Sequence, residues 1–148
     1  MILTLMTLMM IFSGCSPKPV KSVKDFQTYM TNAGLALGEA TEQFEGNESV
    51  KSVWIAAPED LSYQVEFYQL TDDKYARGAY EANRDNANEI ENSVDVHTEK
   101  IAANYARFTR KTSDTFVLIS QIGDTMIYSE VPSEYAETVS KLVSEFGY

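Results

Sequence analysis

Cysteine and histidine are almost missing from this chain of 148 residues, which contains one of each. A single thiol cannot form a disulfide within the chain, and one histidine with one cysteine is a poor ligand set for zinc. His97 also lacks a partner motif, because the sequence contains no Gly-x-Ser-x-Gly elbow that would present a serine nucleophile. We therefore expect no catalysis through His97, no cofactor and no zinc.

Basic residues are also scarce, with 12 Lys and Arg against 22 Asp and Glu, a formal charge of −10 and a pI near 4.5. Nucleic acid is not expected as a partner, because no basic cluster is large enough to follow a phosphate backbone. The nearest candidate is the group Arg107, Arg110 and Lys111, which alternates with Phe108. We interpret it as the solvated face of a strand.

Acidic residues gather at Asp72 and Asp73, at 45–48 and at 85–89. None of these groups has the spaced ligands, glycine and terminal glutamate of an EF-hand loop. Helix capping explains Asp72 and Asp73, and a solvated surface explains the others. A metal-binding domain or a carboxylate-dependent enzyme remains the alternative interpretation of these acids.

Charge is absent from the first fourteen residues, an apolar run that ends at Cys15. The run matches the apolar core of a signal peptide and falls short of the roughly 20 residues that cross a bilayer. The stretch Ile11-Phe12-Ser13-Gly14-Cys15 resembles a bacterial lipobox, with Phe12 where Leu is usual and no Lys or Arg before Lys18. The resemblance implies that residues 1–14 are a signal peptide, that Cys15 is lipidated, and that the protein sits on the extracytoplasmic face of a bacterial membrane. The alternative is a buried helix of a cytosolic domain.

Residues 15–24 are predicted to be the lipidated cysteine followed by a basic tether. Pro17 and Pro19 disfavour regular structure, and Lys18, Lys21 and Lys24 have no acid among them. Subtracting these three charges from the chain's −10 leaves −13 on residues 25–148. Such a neck would be attracted to anionic lipid. The alternative is an ordinary soluble linker.

Residues 25–148 are long enough for one domain and too short for two. Helical spacing, N-cap residues and period-2 alternation predict three helices, a hairpin and three further strands. The helices are expected at 23–33, at 73–91 and from Pro132 to Gly147. The strands are expected at 50–57, around 63–68, at 101–111, at 116–122 and at 125–131.

This order of elements predicts an α+β fold, with an antiparallel sheet of five or six strands and helices packed on one face. The similar positions of Lys74-Tyr75-Ala76 and Glu134-Tyr135-Ala136 suggest two strand–hairpin–helix units, with convergence as the alternative. A face without helices would leave Trp54 and Tyr68 free to form a ligand or partner surface. A fully packed two-layer domain is the other possibility.

The last third of the chain resembles small uncharacterised lipoproteins of Gram-positive bacteria, through residues 123–128 (Gly-Asp-Thr-Met-Ile-Tyr) and the final Gly147-Tyr148. That resemblance implies no activity and no site. We expect a membrane-anchored binding or interaction module of the cell envelope, whose partner is an envelope protein or a small ligand.

Overall fold

The computed structural model describes residues 16–90 and 96–148. Within them, three α-helices, seven strands and two short 3-10 segments follow one another along the chain. The helices are α1 (Val23–Asn32), α2 (Asp73–Asn88) and α3 (Ala136–Phe146). The strands are β1 (Ala36–Glu39), β2 (Val50–Ala57), β3 (Val65–Leu70), β4 (Val96–Ala102), β5 (Tyr105–Lys111), β6 (Thr115–Ile122) and β7 (Thr125–Pro132). The 3-10 segments are Thr41–Phe44 and Ser133–Tyr135. The predicted signal peptide and Cys15 lie outside the described residues.

The strands form one antiparallel sheet in the order β1-β2-β3-β7-β6-β5-β4. The predicted α+β class with an antiparallel sheet is therefore confirmed. Strand β6, which the sequence predicts to be central, is interior to the sheet and buried from Phe116 to Ile122. The sheet has seven strands where five or six were expected.

The two additional strands lie at the edges of the sheet, where sequence patterns are weakest. Strand β1 is only four residues long, and β4 is exposed over its first six residues. The segment predicted as one strand at 101–111 divides at Ala103 and Asn104, which form the turn between β4 and β5. Edge strands are often short or charged because an open edge invites pairing with another chain, so they lack the alternation that reveals interior strands.

The helices cover both faces of the sheet, and in this detail the expectation of one covered face is wrong. Phe116 and Leu118 of β6 pack in the cluster that contains α1 and α3, whereas Val117 and Ile119 pack with α2. Successive side chains of a strand point to opposite faces, so α2 lies opposite the other two helices. An interior strand that is apolar on both sides requires cover on both sides. The two chain halves therefore differ in the face that their final helix covers.

The starts of α1 and α2 and the end of α3 follow from caps that are visible in the sequence. The expected start of the third helix at Pro132 is wrong: Ser133–Tyr135 form a 3-10 turn, and α3 begins at Ala136 without a side-chain cap. Ser22 and Asp25 form a capping box, in which each side chain accepts a hydrogen bond from the other's backbone N–H at 3.1 and 2.8 Å. Asp72 caps α2 by accepting a hydrogen bond from the Tyr75 N–H at 2.9 Å. Gly147 ends α3 with φ of +111°, a left-handed conformation that favours glycine.

Candidate functional site

A groove of about 630 Å³ opens on the face of the sheet that α2 covers only in part. Helix α2 packs over β5, β6, β7 and part of β3, and within residues 16–90 and 96–148 no α-helix covers the β2 side of this face. The groove lies between α2 and the first 3-10 segment, which carries Phe44. Its remaining lining residues are Asn47, Ser49, Val50, Tyr68, Leu70, Lys74, Tyr75, Gly78, Ala79, Asn83, Met126 and Tyr128.

The floor of the groove comes from the junction between β3 and β7. Tyr68 of β3 is paired in register with Met126 of β7, and Tyr128 lies two residues further along β7. The alternation of β3 sends Phe67 to the opposite face, where it is fully buried. Alternate residues of a strand face the same side of the sheet. Two neighbouring strands therefore supply two tyrosine rings and a methionine to one apolar surface.

Both floor tyrosines have hydroxyls that are hydrogen-bonded to carboxylates. The Tyr68 hydroxyl donates to Glu66, and the Tyr128 hydroxyl donates to Glu130 at 2.7 Å. Burial raises the pKa of each tyrosine, and the adjacent carboxylate raises it further. The hydroxyls therefore stay protonated at neutral pH and are held at the edge of the groove. The rings supply an apolar floor, which suits binding better than acid–base chemistry.

The wall of the groove is low at Gly78, in the middle of α2. A Cβ atom built on Gly78 meets no heavy atom within 4 Å. Glycine inside a helix costs roughly 0.5–1 kcal/mol relative to alanine, so this position is not optimised for helix stability. Because Gly78 lines the groove and its Cβ would meet open space, a larger side chain at this position has room to extend into the groove.

Of the two residues predicted to form a surface, only Tyr68 lines the groove. Trp54 pairs in register with Phe67 and packs, partly buried, against the cluster under α1 and α3. Tyr68 pairs with Val53 and belongs to the α2 face. The structure thus does not bring Trp54 and Tyr68 together, because the register of β2 and β3 assigns them to opposite faces.

Sequence reasoning missed the other aromatic residues of the groove, which are Phe44, Tyr75 and Tyr128. They belong to a 3-10 segment, a helix and a strand that are distant in the chain. Tyr128 was visible as part of an alternating strand, but nothing local indicated which face it shares with Phe44. No motif could have identified this set.

In the basic strand that was predicted to be solvated, two arginines donate hydrogen bonds to other parts of the domain. Arg110 is only 5% exposed, and its guanidinium donates hydrogen bonds to the carbonyl oxygens of Ala87 and, at 2.6 Å, Ile90. Arg107 donates to the Tyr148 carbonyl oxygen at 2.6 Å and to the Ser144 hydroxyl at 2.9 Å. The prediction of a solvated face is wrong for Arg110, because the end of α2 packs over it and supplies free carbonyls.

The acidic groups take part in helix capping, ion pairing and loop structure. Asp72 is the N-cap of α2, and Asp85 pairs with Arg84 at 2.9 Å. In the loop at 45–48, the Asn47 side chain accepts hydrogen bonds from the backbone and hydroxyl of Ser49. His97 lies exposed on the edge strand β4. Across residues 16–90 and 96–148, no three His, Cys, Asp or Glu side chains are placed to hold a metal ion.

Comparison with protein-family models, curated proteins and solved structures gave no significant match to this chain. Among the described residues, none of the helices combines the length and the apolar character needed to cross a bilayer.

Proposed function

We propose that this protein is a lipid-anchored, extracytoplasmic binding module of the bacterial envelope, whose ligand is a small molecule with an apolar or aromatic body. The groove on the α2 face is the observation that supports binding. The lipobox-like stretch before Cys15 supports the anchor.

The dimensions and lining of the groove fit this proposal. Small-molecule sites are typically concave, about 300–1,000 Å³ in volume and mostly apolar, with a few polar groups that orient the ligand. Here the apolar contacts come from aromatic rings, Val50, Leu70 and Met126, and the polar groups are Lys74, Asn83 and the tyrosine hydroxyls. An aromatic or aliphatic body would lie on the rings of Tyr68 and Tyr128, with its polar end toward Lys74.

Two substitutions of Gly78 test the groove. We expect Gly78→Leu to fill it and Gly78→Ala to leave it open, because the alanine methyl meets no atom within 4 Å. The probe is 1-anilinonaphthalene-8-sulfonate, an aromatic body with an anionic group that suits Lys74. Saturable fluorescence enhancement is expected for the native protein and for Gly78→Ala, with affinity at least about tenfold weaker, or 1.4 kcal/mol, for Gly78→Leu.

Denaturant unfolding supplies the control for this pair. Gly78→Ala should raise the free energy of unfolding by about 0.5–1 kcal/mol, because alanine is the better helix former. Equal probe binding by Gly78→Leu and Gly78→Ala, or no saturable binding by the native protein, would contradict the assignment of the groove.

The anchor is tested by membrane fractionation of cells that express the full chain. We expect Cys15→Ala to move the protein out of the membrane fraction, since the diacylglycerol would have no attachment point. A conservative change beside the cysteine, Ser16→Ala, is the matched control and should leave partitioning unchanged. If Cys15→Ala stays with the membrane, the lipid anchor is refuted.

A further inference from the structure

The segment that precedes α1 is docked on the domain from Lys18 onward, whereas the sequence predicts a tether over 15–24. The Asn104 side chain holds the Lys18 backbone from both sides: the Lys18 N–H donates to Asn104 Oδ1 at 3.0 Å, and Asn104 Nδ2 donates to the Lys18 carbonyl oxygen at 2.7 Å. The Lys18 ammonium donates to the Gly147 carbonyl oxygen at 3.1 Å and lies 3.9 Å from the centre of the Tyr105 ring. The helix α1 then occupies residues from Val23 onward.

The turn between β6 and β7 has the shape that this docked segment requires. A Cβ atom on Gly123 would lie 2.6 Å from Cγ2 of Val20, closer than real contacts allow. The φ angle of Gly123 is +55°, so glycine suits both the turn and the close approach of Val20. The segment 18–21 therefore belongs to the folded domain.

Docking gathers five cations at one end of the molecule, a surface that we call the basic end: Lys18, Lys21, Lys24, Lys100 and Arg107. Burial lowers the pKa of Lys18, and the nearby charges of Arg107 and Lys100 lower it further. The Lys21 ammonium lies 5.7 Å from the centre of the Phe146 ring. Lys24 lies beside Lys21 near the start of α1.

Asp73 also lies at this end of the sheet, beside Lys74, Arg77 and Asn104, and the two cations outweigh its charge. The acidic side chains closest to the five cations of the basic end are Asp25, Asp124 and Glu145. Removing these three acids and the five cations from the chain's formal charge of −10 leaves −12 on the remaining residues and +2 at the basic end. The molecule is therefore electrically polar, with its positive end at the point where the chain enters the domain.

The distance from the proposed anchor is short. Only residues 16 and 17 separate Cys15 from the docked Lys18. An extended chain covers at most about 3.6 Å per residue, so three steps span no more than about 11 Å. This is close to the Debye length of about 8–10 Å at physiological salt, so headgroup charges still act on the basic end.

We infer that the basic end faces the membrane and binds anionic phospholipid headgroups, so that the domain is held in one orientation. This inference rests on the lipid anchor of the proposed function and is independent of the groove. Basic residues near an anionic surface are attracted to it, and the acidic remainder of the domain is repelled from the same surface. The attraction is local to the basic end and the repulsion acts on the rest of the domain, so both favour an orientation in which the basic end faces the membrane.

Orientation can be measured by quenching of site-specific labels in the lipidated full-length protein. Thioether linkage would block Cys15, the chain's only cysteine, so an introduced cysteine is the sole free thiol. Ala103→Cys places an environment-sensitive fluorophore in the turn beside Asn104, and Glu59→Cys places it in the loop after β2, at the opposite end of the sheet. Both positions are exposed. The protein is reconstituted in phosphatidylcholine vesicles with or without phosphatidylglycerol, and headgroup spin labels act as the quencher.

We expect quenching at position 103 to exceed quenching at position 59 several-fold when phosphatidylglycerol is present. The difference should shrink without the anionic lipid, and also in 1 M salt, where the Debye length falls to about 3 Å. Lys100→Glu should reduce the difference. Lys111→Glu, an exposed charge reversal at the far end of β5, should not.

The outcomes separate the two proposals. A protein that stays out of the membrane fraction with a reactive Cys15 thiol overturns the anchor and the inference together. A membrane-bound protein with equal quenching at both positions overturns the orientation alone. Equal effects of Lys100→Glu and Lys111→Glu would also overturn it, because the basic end would then have no special role.

Discussion

The two faces of the sheet are packed in different ways. On one face, α1 and α3 enclose a group of aromatic rings, in which Phe26 stacks on Phe67 at 5.0 Å and Phe146 stacks on Tyr148 at 5.5 Å. On the other face, α2 is the only α-helix among the residues that the structure describes, and it contacts the sheet mainly through Ala76, Tyr80 and Ala87. The small side chains of Ala76 and Ala87 bring α2 close to β6, and α2 does not reach the β2 side of this face.

The contrast indicates that one face of the sheet contributes mainly to stability and the other carries the groove. The face under α1 and α3 is closed and supplies most of the large buried apolar surface. The α2 face is open at the groove and keeps tyrosines whose hydroxyls bond to exposed or half-buried carboxylates. Closing the first face provides stability, and the second can then remain open without loss of the fold.

Neighbouring residues of β3 give the largest test of this comparison. Phe67→Ala should lower the free energy of unfolding by about 3–5 kcal/mol, because it leaves a cavity among stacked rings. Tyr68→Ala should cost clearly less, about 1–2 kcal/mol, because Tyr68 is partly exposed in the groove. Urea unfolding of both variants measures the difference, and an unchanged slope m shows that each substitution altered stability alone. Equal losses would mean that the two faces contribute alike.

The second test concerns the hydrogen bonds by which Arg110 attaches the C-terminal end of α2 to the sheet. Arg110→Met should lower the free energy of unfolding by about 2–3 kcal/mol, because the carbonyl oxygens of Ala87 and Ile90 lose a charged donor at a buried position. Hydrogen exchange should show faster opening of α2 amides than of α3 amides. Lys111→Met, an adjacent exposed position, is the control and should change little. Uniform loosening of α2 and α3 would contradict a separate attachment of α2.

The smallest effect per residue is expected from alkaline pH, which acts on both faces. Burial raises the pKa of Tyr80 under α2, helped by the Glu99 carboxylate, and burial also raises the pKa of Tyr148 on the other face. The unfolded chain ionises its tyrosines near pH 10, whereas these two remain protonated in the fold. Their stabilising contribution is therefore complete below about pH 10 and is lost as the pH rises toward the folded-state pKa.

Chemical denaturation between pH 8 and pH 11 measures this loss. Tyr80→Phe and Tyr148→Phe should each make the fall in unfolding free energy less steep. Tyr75→Phe is the control, because Tyr75 is 52% exposed and no buried hydroxyl is removed. A pH dependence that is identical in all three variants would show that the buried tyrosines do not govern it.

The sequence was sufficient for features that depend on neighbouring residues. Ser22, Asp72 and Gly147 marked helix ends, alternation revealed β3, and a strand that is apolar on both sides revealed β6. It failed where distant segments decide the outcome. The apolar stripe of α2 predicts a buried side but does not say which face of the sheet receives it. The site was accessible only in part: Tyr68 was identified, but its grouping with Phe44 and Tyr128, and its separation from Trp54, depend on strand register.

The position of Trp54 makes the two faces spectroscopically distinct. It is the only tryptophan in the chain, and it packs on the closed face against the cluster that contains Phe67. Its emission therefore reports the opening of that face, whereas a ligand in the groove lies across the sheet from it. The groove contains three of the nine tyrosines, at positions 68, 75 and 128, so a change in tyrosine absorbance when ligand is added, with Trp54 emission unchanged, would report the groove. Unfolding and ligand occupancy can thus be followed in the same sample by two intrinsic chromophores.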